Sequence, residues 1–111
     1  MAVQKGDVID ESTKSDETCR LAIKVIEGGA GFTKVNCCGL ELTDANRTVS
    51  FDESKERFAG EKATAGIIID ESKNYPNSCG LKVEIVGGGG GFGSISCCGN
   101  ELTIENDAVT S

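Results

Sequence analysis

The sequence predicts an all-β protein built from two copies of one small unit, and three observations support this. The chain comes into register with itself, without a gap, when it is shifted by sixty residues. Aliphatic and charged residues alternate over 21–26 and 81–86, which is the period-two pattern of a half-buried strand. Glycine runs follow both segments, and 15 Gly against one Pro suits tight turns.

The internal repeat divides the chain into a first repeat (1–43), a charged connector (44–65) and a second repeat (66–111). A unit of about 40–50 residues buries too little surface to be stable by itself. We therefore expect a pseudo-twofold arrangement with one shared core. The residues that recur sixty positions later are Gly6, Ile9, Asp10, Glu11, Ser12, Cys19, Leu21, Gly28, Gly29, Gly31, Phe32, Cys37, Cys38, Gly39, Glu41, Leu42 and Thr43.

Each repeat is expected to open with a short strand, at 6–9 and again at 66–69. An Asp-Glu-Ser turn follows at 10–12 and 70–72. Consecutive carboxylates on a strand point to opposite faces. We therefore interpret the Asp-Glu pairs at 10–11 and 70–71 as solvated turn residues.

The glycine runs at 28–31 and 87–91 are predicted to be hairpin turns. The strand that follows each run, at 32–36 and 92–96, leads to a pair of adjacent cysteines. The connector is too charged to be core, and around Asp52 it suits either a strand and turn or a short capped helix.

All six cysteines belong to the repeat, with three in each copy. A hairpin between Cys19 and Cys37 would bring the three sulfurs of one copy to the same end. Thiolates suit iron, zinc, copper(I) and iron–sulfur clusters, and Gly39 and Gly99 would let backbone wrap closely around a metal. The predicted metal ligands are Cys19, Cys37, Cys38, Cys79, Cys97 and Cys98.

The run Glu17-Thr18-Cys19, the segment 23–31 and then Cys37-Cys38-Gly39 resemble desulforedoxin and the N-terminal domain of desulfoferrodoxin. The second copy, from Ser78-Cys79-Gly80 to Cys97-Cys98-Gly99, resembles them too. In that family each small β subunit of a homodimer holds one iron through a Cys-x-x-Cys knuckle and a vicinal cysteine pair. The resemblance implies two desulforedoxin-like repeats that imitate this dimer within a monomeric chain, with higher oligomers left open.

The first cysteine of each knuckle is missing, because Asp16 and Pro76 stand at those positions. The fourth coordination position is therefore open to water, a partner's side chain or a carboxylate. Asp16, Glu41 and Glu101 are the candidate additional ligands. Three thiolates also suit a mononuclear ion or an iron–sulfur cluster equally well at this point.

Composition excludes several functions. The net charge is −7 without a basic patch, which argues against nucleic acid and anionic membranes and suits a basic docking partner. Histidine is absent, which removes the commonest general base. No apolar segment has transmembrane length, and reduced thiols are typical of the cytoplasm, where we expect the protein.

These observations predict a small iron or iron–sulfur electron-transfer protein, not an enzyme, that meets a redox partner protein. Two alternatives stay open. One is a metal or cluster carrier that delivers to a metal acceptor through an open coordination position. The other is a binding or structural module stapled by disulfides.

Overall fold

The computed structural model describes residues 3–48 and 51–109. Within them, ten short strands form two antiparallel sheets, which confirms the all-β prediction. The strands are β1 (Val8–Asp10), β2 (Ala22–Glu27), β3 (Phe32–Cys37), β4 (Leu40–Leu42), β5 (Arg47–Thr48), β6 (Ile68–Asp70), β7 (Lys82–Gly87), β8 (Phe92–Cys97), β9 (Asn100–Leu102) and β10 (Ala108–Val109). Single 3₁₀ turns span Glu11–Thr13, Asp44–Asn46 and Glu71–Lys73, and a one-turn helix spans Ile104–Asp107. No helix in the described ranges is long and apolar enough to cross a membrane.

The two repeats are interleaved in both sheets. The larger sheet has the order β10-β6-β7-β2-β1-β5 and the smaller sheet has the order β4-β3-β8-β9. At the middle of each sheet a strand of one repeat pairs with its copy, β2 with β7 and β3 with β8. Buried residues of both repeats form one hydrophobic cluster, in which Ile23, Val35, Ile85 and Ile95 are fully buried. The structure thus has the shared core and the pseudo-twofold arrangement that the repeat predicts.

The predicted hairpin at the glycine runs is wrong. β2 lies in the larger sheet and β3 in the smaller, so the glycines carry the chain from one sheet to the other. β2 and β3 each have one apolar face, and both faces are buried when the two sheets pack face to face. Each strand then pairs, within its own sheet, with its copy from the other repeat. Gly28 has φ +71°, and a Cβ there would lie 2.7 Å from the backbone of Gly80. The crossing therefore requires glycine, because the two repeats approach each other backbone to backbone.

The hairpin of each repeat lies instead at the paired cysteines. Cys37 is opposite Leu40 in the ladder of β3 and β4, which leaves a two-residue loop of Cys38 and Gly39. Both loop residues have positive φ, +55° and +76°, as a type I′ turn requires. The second repeat has the same turn at Cys98 and Gly99. Gly39 and Gly99 are therefore turn residues.

The connector is not only a surface loop. Its first residues complete the first repeat, since β5 pairs with β1 as β10 pairs with β6. Residues 51–60, here called the strap, contain a turn at Asp52 and neither a helix nor a strand. The strap is anchored by Arg57, whose guanidinium lies 2.9 Å from the carboxylate of Asp10, with both side chains about 95% buried. Burial opposes ionisation of Asp10, but its hydrogen bonds with Arg57 and Ser12 lower its pKa on balance.

Candidate metal centre

Each repeat gathers three thiols and one carboxylate at one point. The ligand atoms in each group all lie within 4.8 Å of one another. The first centre comprises Glu11, Cys19, Cys37 and Cys38, and the second centre comprises Glu71, Cys79, Cys97 and Cys98. In the first centre Glu11 follows β1, Cys19 precedes β2, Cys37 ends β3 and Cys38 lies in the type I′ turn. The structure therefore brings together all six predicted cysteines, three at each centre.

The two centres lie at opposite ends of one strand pair. β3 and β8 are antiparallel, so Cys37 of the first centre is opposite Phe92, while Cys97 of the second is opposite Phe32. Five residues of strand separate these positions, which corresponds to about 17 Å at 3.3–3.4 Å per residue. The two centres are therefore separate sites, each of a size for one metal ion, rather than two halves of a single site.

Two of the three sulfur–sulfur distances in each centre lie within about 0.5 Å of the edge of a tetrahedral metal site. Metal–sulfur bonds of about 2.3 Å place two sulfurs about 3.8 Å apart, and a metal–oxygen bond of about 2.0 Å gives a sulfur–oxygen edge of about 3.5 Å. In the first centre the Sγ atoms of Cys19 and Cys37 are 3.3 Å apart and those of Cys37 and Cys38 are 3.9 Å apart. The corresponding distances in the second centre are 3.4 Å and 3.9 Å.

Each carboxylate lies about one such edge from a sulfur of its centre. Oε1 of Glu11 lies 3.4 Å from Sγ of Cys19, and Oε1 of Glu71 lies 3.5 Å from Sγ of Cys79. Both glutamates are fully buried. Each Oε1 also accepts a backbone hydrogen bond, from Leu21 at 3.2 Å and Leu81 at 3.3 Å. Oε2 of Glu11 is buried and has no hydrogen-bond partner, which leaves it free for a metal.

The interpretation of 10–12 and 70–72 as solvated turns is therefore wrong for both glutamates and for Asp10, all of which are buried. In the first repeat both carboxylates lie in the interior, Asp10 against Arg57 and Glu11 beside the three sulfurs. Asp10 caps the 3₁₀ turn by accepting from the Ser12 amide at 2.9 Å, while Glu11 points inward. The signal that could have found Glu11 is its recurrence, with Asp10, in both copies.

The three carboxylates proposed from the sequence lie outside both groups. Asp16 is 61% exposed and pairs with Arg20 and Lys55. Glu41 is exposed and pairs with Lys34 at 3.0 Å, because it alternates on β4 with the buried Leu42 and so faces solvent. Glu101 has the equivalent exposed position on β9. Proximity in sequence to the cysteine pair does not identify the ligand, because successive side chains of a strand point to opposite faces of the sheet.

The electrostatics of the centres favour a bound cation. Burial raises the pKa of Cys37 and of Cys97, and the neighbouring Cys19 and Cys79 thiols add to the effect. Burial also raises the pKa of Cys38. Burial acts in the same direction on Cys79, but backbone amides at Gly31 and Gly29 lower its pKa on balance. Three thiolates and a carboxylate repel one another in a buried group, and a metal ion supplies the missing positive charge.

A glycine loop from the opposite repeat covers each centre. The Cys38 amide donates to the Gly91 carbonyl at 2.8 Å, and the Cys98 amide donates to the Gly31 carbonyl at 2.9 Å. A Cβ added at Gly91 would overlap Sγ of Cys38, and one added at Gly31 would overlap Sγ of Cys98. Only glycine allows this approach, so each centre takes its donors from one repeat and its cover from the other.

No protein-family model, curated protein or solved structure matches this chain. The resemblance to desulforedoxin therefore stays a prediction that depends on the sequence motifs. The chain contains two buried cysteine–glutamate groups whose atoms are placed to hold a metal ion.

Proposed function

We propose that the chain is a small metalloprotein with one metal ion at each centre, held by three thiolates and one carboxylate. The observation that carries this proposal is the buried glutamate in each copy. Packing alone accounts for buried cysteines, but a fully buried glutamate beside three sulfurs in each copy is an arrangement that a bound cation would stabilise.

The glutamates change the kind of site that the sequence predicts. With Cys-x-x-Cys incomplete, the fourth position was open to water or a partner. Glu11 and Glu71 can fill it, which makes each centre closed. Closed four-coordinate sites serve structure or electron transfer, whereas sites for reaction with substrate keep a position free. This supports a non-enzymatic role.

A single ion fits each centre better than a cluster does. Thiolates that bind one ion share the edges of one tetrahedron, as the sulfurs do here. Thiolates that bind different irons of a cluster stand farther apart, because the irons and bridging sulfides lie between them. Three soft sulfur donors also favour iron or zinc over magnesium or calcium.

We propose iron as the ion and electron transfer to a redox partner as the role. Cys38 and Cys98 are exposed while the other thiols of their centres are more buried. One cysteine of each centre therefore lies at the surface, where a partner protein could receive an electron. The net charge of −7 suits a partner with a basic docking surface.

The disulfide-stapled alternative accounts for less of the structure. The Sγ atoms of Cys19 and Cys37 are 3.3 Å apart, so a modest movement would allow a bond between them. A disulfide would, however, use two of three sulfurs and leave Glu11 buried with an unpaired oxygen. An uncompensated buried carboxylate costs several kcal/mol, on the order of the whole stability of a small domain.

The test is anaerobic purification of the full chain, followed by elemental analysis and a UV–visible spectrum. We expect two irons per chain, one for each centre, with thiolate charge-transfer bands that bleach on reduction and return on oxidation. The Glu11→Gln variant should lose iron from one centre, and the exposed Glu41→Gln control should keep both. Two zinc ions would retain the metal centres but overturn electron transfer. No metal, with fewer than six free thiols after denaturation, would overturn the proposal as a whole.

A further inference from the structure

The strap lies over the first centre. The amide of Phe58 donates to the Cys19 carbonyl at 3.0 Å, and the Phe58 carbonyl accepts from Gly90 at 2.8 Å. Arg57 adds a hydrogen bond from its guanidinium to the Arg20 carbonyl at 2.8 Å. The strap therefore joins Cys19 to the glycine loop that closes the first centre.

The second centre has no such cover in the part of the chain that the structure describes. The residues equivalent to Cys19 and Gly90 are Cys79 and Ala30, and no described backbone hydrogen bond links them through a third segment. The exposures of the cysteines agree with this difference. Cys19 is 7% exposed, whereas Cys79 is only half-buried.

The hydrogen bonds of Glu11 and Glu71 also differ, and this second difference does not involve the strap. The side-chain amide of Asn100 donates to Oε2 of Glu71 at 3.2 Å and to Oγ of Ser78 at 2.8 Å. The first repeat has Leu40 at the position of Asn100, and Oε2 of Glu11 has no hydrogen-bond partner. Because Oε1 of each glutamate accepts a backbone hydrogen bond, Glu11 has one oxygen without a hydrogen bond, while both oxygens of Glu71 are engaged.

We infer that the two centres have different roles: the first retains its ion, and the second exchanges its ion more rapidly with an external acceptor that offers thiolate or nitrogen donors. This inference depends on the proposed metal binding. At the second centre two cysteine residues, exposed Cys98 and half-buried Cys79, contact solvent, whereas at the first Cys38 is exposed and Cys19 and Cys37 are buried. A metal ion is displaced one ligand at a time, so accessible ligands decide the rate.

The exchange involves no electron transfer. A donor atom of the acceptor binds the ion as the bond to the Cys98 sulfur breaks, and the bond to Cys79 is then replaced in the same way. Further acceptor donors replace the bonds to Cys97 and Glu71, so that all four protein ligands are exchanged. Each released thiolate takes a proton from water. The ion leaves with its original oxidation state. Glu71, held by Asn100, stays behind as a carboxylate.

The experiment uses the full chain loaded with Zn²⁺, which has no redox chemistry, and mixed with an excess of a chromogenic chelator. We expect two release phases of equal amplitude, differing in rate by about tenfold or more, the scale on which outer ligands alter metal affinity. Cys97→Ser should remove the fast phase and Cys37→Ser the slow one. A single phase for both ions, or a fast phase that survives Cys97→Ser, would overturn the inference.

Two reciprocal variants test the inference even if loss of a cysteine prevents folding. Asn100→Leu gives the second centre the residue of the first and should slow the fast phase. Leu40→Asn gives the first centre the residue of the second and should speed the slow phase. Unchanged rates in both variants would overturn the role of Glu71 and Asn100. A chain that binds no zinc would instead contradict the proposed function.

Discussion

The two repeats contain the same four ligand types at the same spacing, yet their centres have different surroundings. The first lies beneath the strap, and Cys19 is almost fully buried; the second lies beside Gly80 and Asn100, and Cys79 is half-buried. The strap crosses the first centre and, within the described residues, has no counterpart at the second. A gene duplication copies a donor set, but the segment that joins the copies makes their environments unequal.

The largest expected effect comes from releasing the strap. Arg57→Ala should lower the free energy of unfolding by about 3 kcal/mol, because it leaves the Asp10 carboxylate buried without its partner. It should also speed the release of metal from the first centre. Urea denaturation and chelator kinetics measure the two effects. The control is Lys55→Ala, which breaks an exposed pair with Asp16 and should cost less than about 1 kcal/mol. Equal losses in the two variants would contradict the role given to Arg57.

The same ion pair predicts a pH dependence in the metal-free chain. The pKa of Asp10 is lowered in the folded state, so its contribution is present above the unfolded value of about 3.9 and is lost as the pH falls below it. We expect Asp10→Asn to be less stable than the parent chain at neutral pH and to lose less stability on acidification. Parallel stability curves between pH 2.5 and about pH 6 would contradict this assignment.

A smaller effect tests whether each centre is covered by the opposite repeat. Gly91→Ala should cost about 1–3 kcal/mol through overpacking against Cys38 and should abolish metal at the first centre, although Gly91 belongs to the second repeat. Gly31→Ala should do the same at the second centre. Metal content, combined with the two release phases, identifies which centre is lost.

Gly6→Ala is the control for the glycine variants. A Cβ there meets no atom within 4 Å, although φ is +95°, so some stability should be lost while both ions stay bound. If Gly91→Ala lost metal from the second centre, or Gly31→Ala from the first, the crossed arrangement would be contradicted.

The smallest expected effect is a gain in the free energy of unfolding. Cys98 has φ +54°, a strained value for most residues, and Asn tolerates this conformation better. Cys98→Asn should therefore stabilise the metal-free chain by about 0.5–1 kcal/mol while destroying the second centre. Cys98→Ser should lose the metal without the gain in stability, and thermal denaturation of the two metal-free variants compares them. If Asn gave no more stability than Ser, strain at this turn would have no energetic role.

The sequence predicts the strands and the cysteine groups well, because alternation and self-similarity are local or exact signals. It does not predict strand partners. Alternation over 21–26 shows that β2 has one buried face, but not that β7 lies beside it while β3 lies in the other sheet. Register across sixty residues is decided by packing of the whole core, which no local pattern contains.

The fourth ligand could not be identified from sequence spacing. Glu41 lies only three residues from Cys38 yet faces solvent, whereas Glu11, eight residues before Cys19, points into the centre. Arg57 was equally hidden, because a charged residue in a charged segment gives no sign that it is buried against Asp10.

The crossed glycine loops have a consequence for the order of events on the ribosome. The first centre has all four of its ligands once Cys38 has emerged, but its cover at Gly91 is synthesised more than fifty residues later. At about 5–20 residues per second, the nascent chain carries these thiols without their cover for several seconds. The centres are therefore expected to be filled only after synthesis of the second repeat, and both at the same stage of maturation.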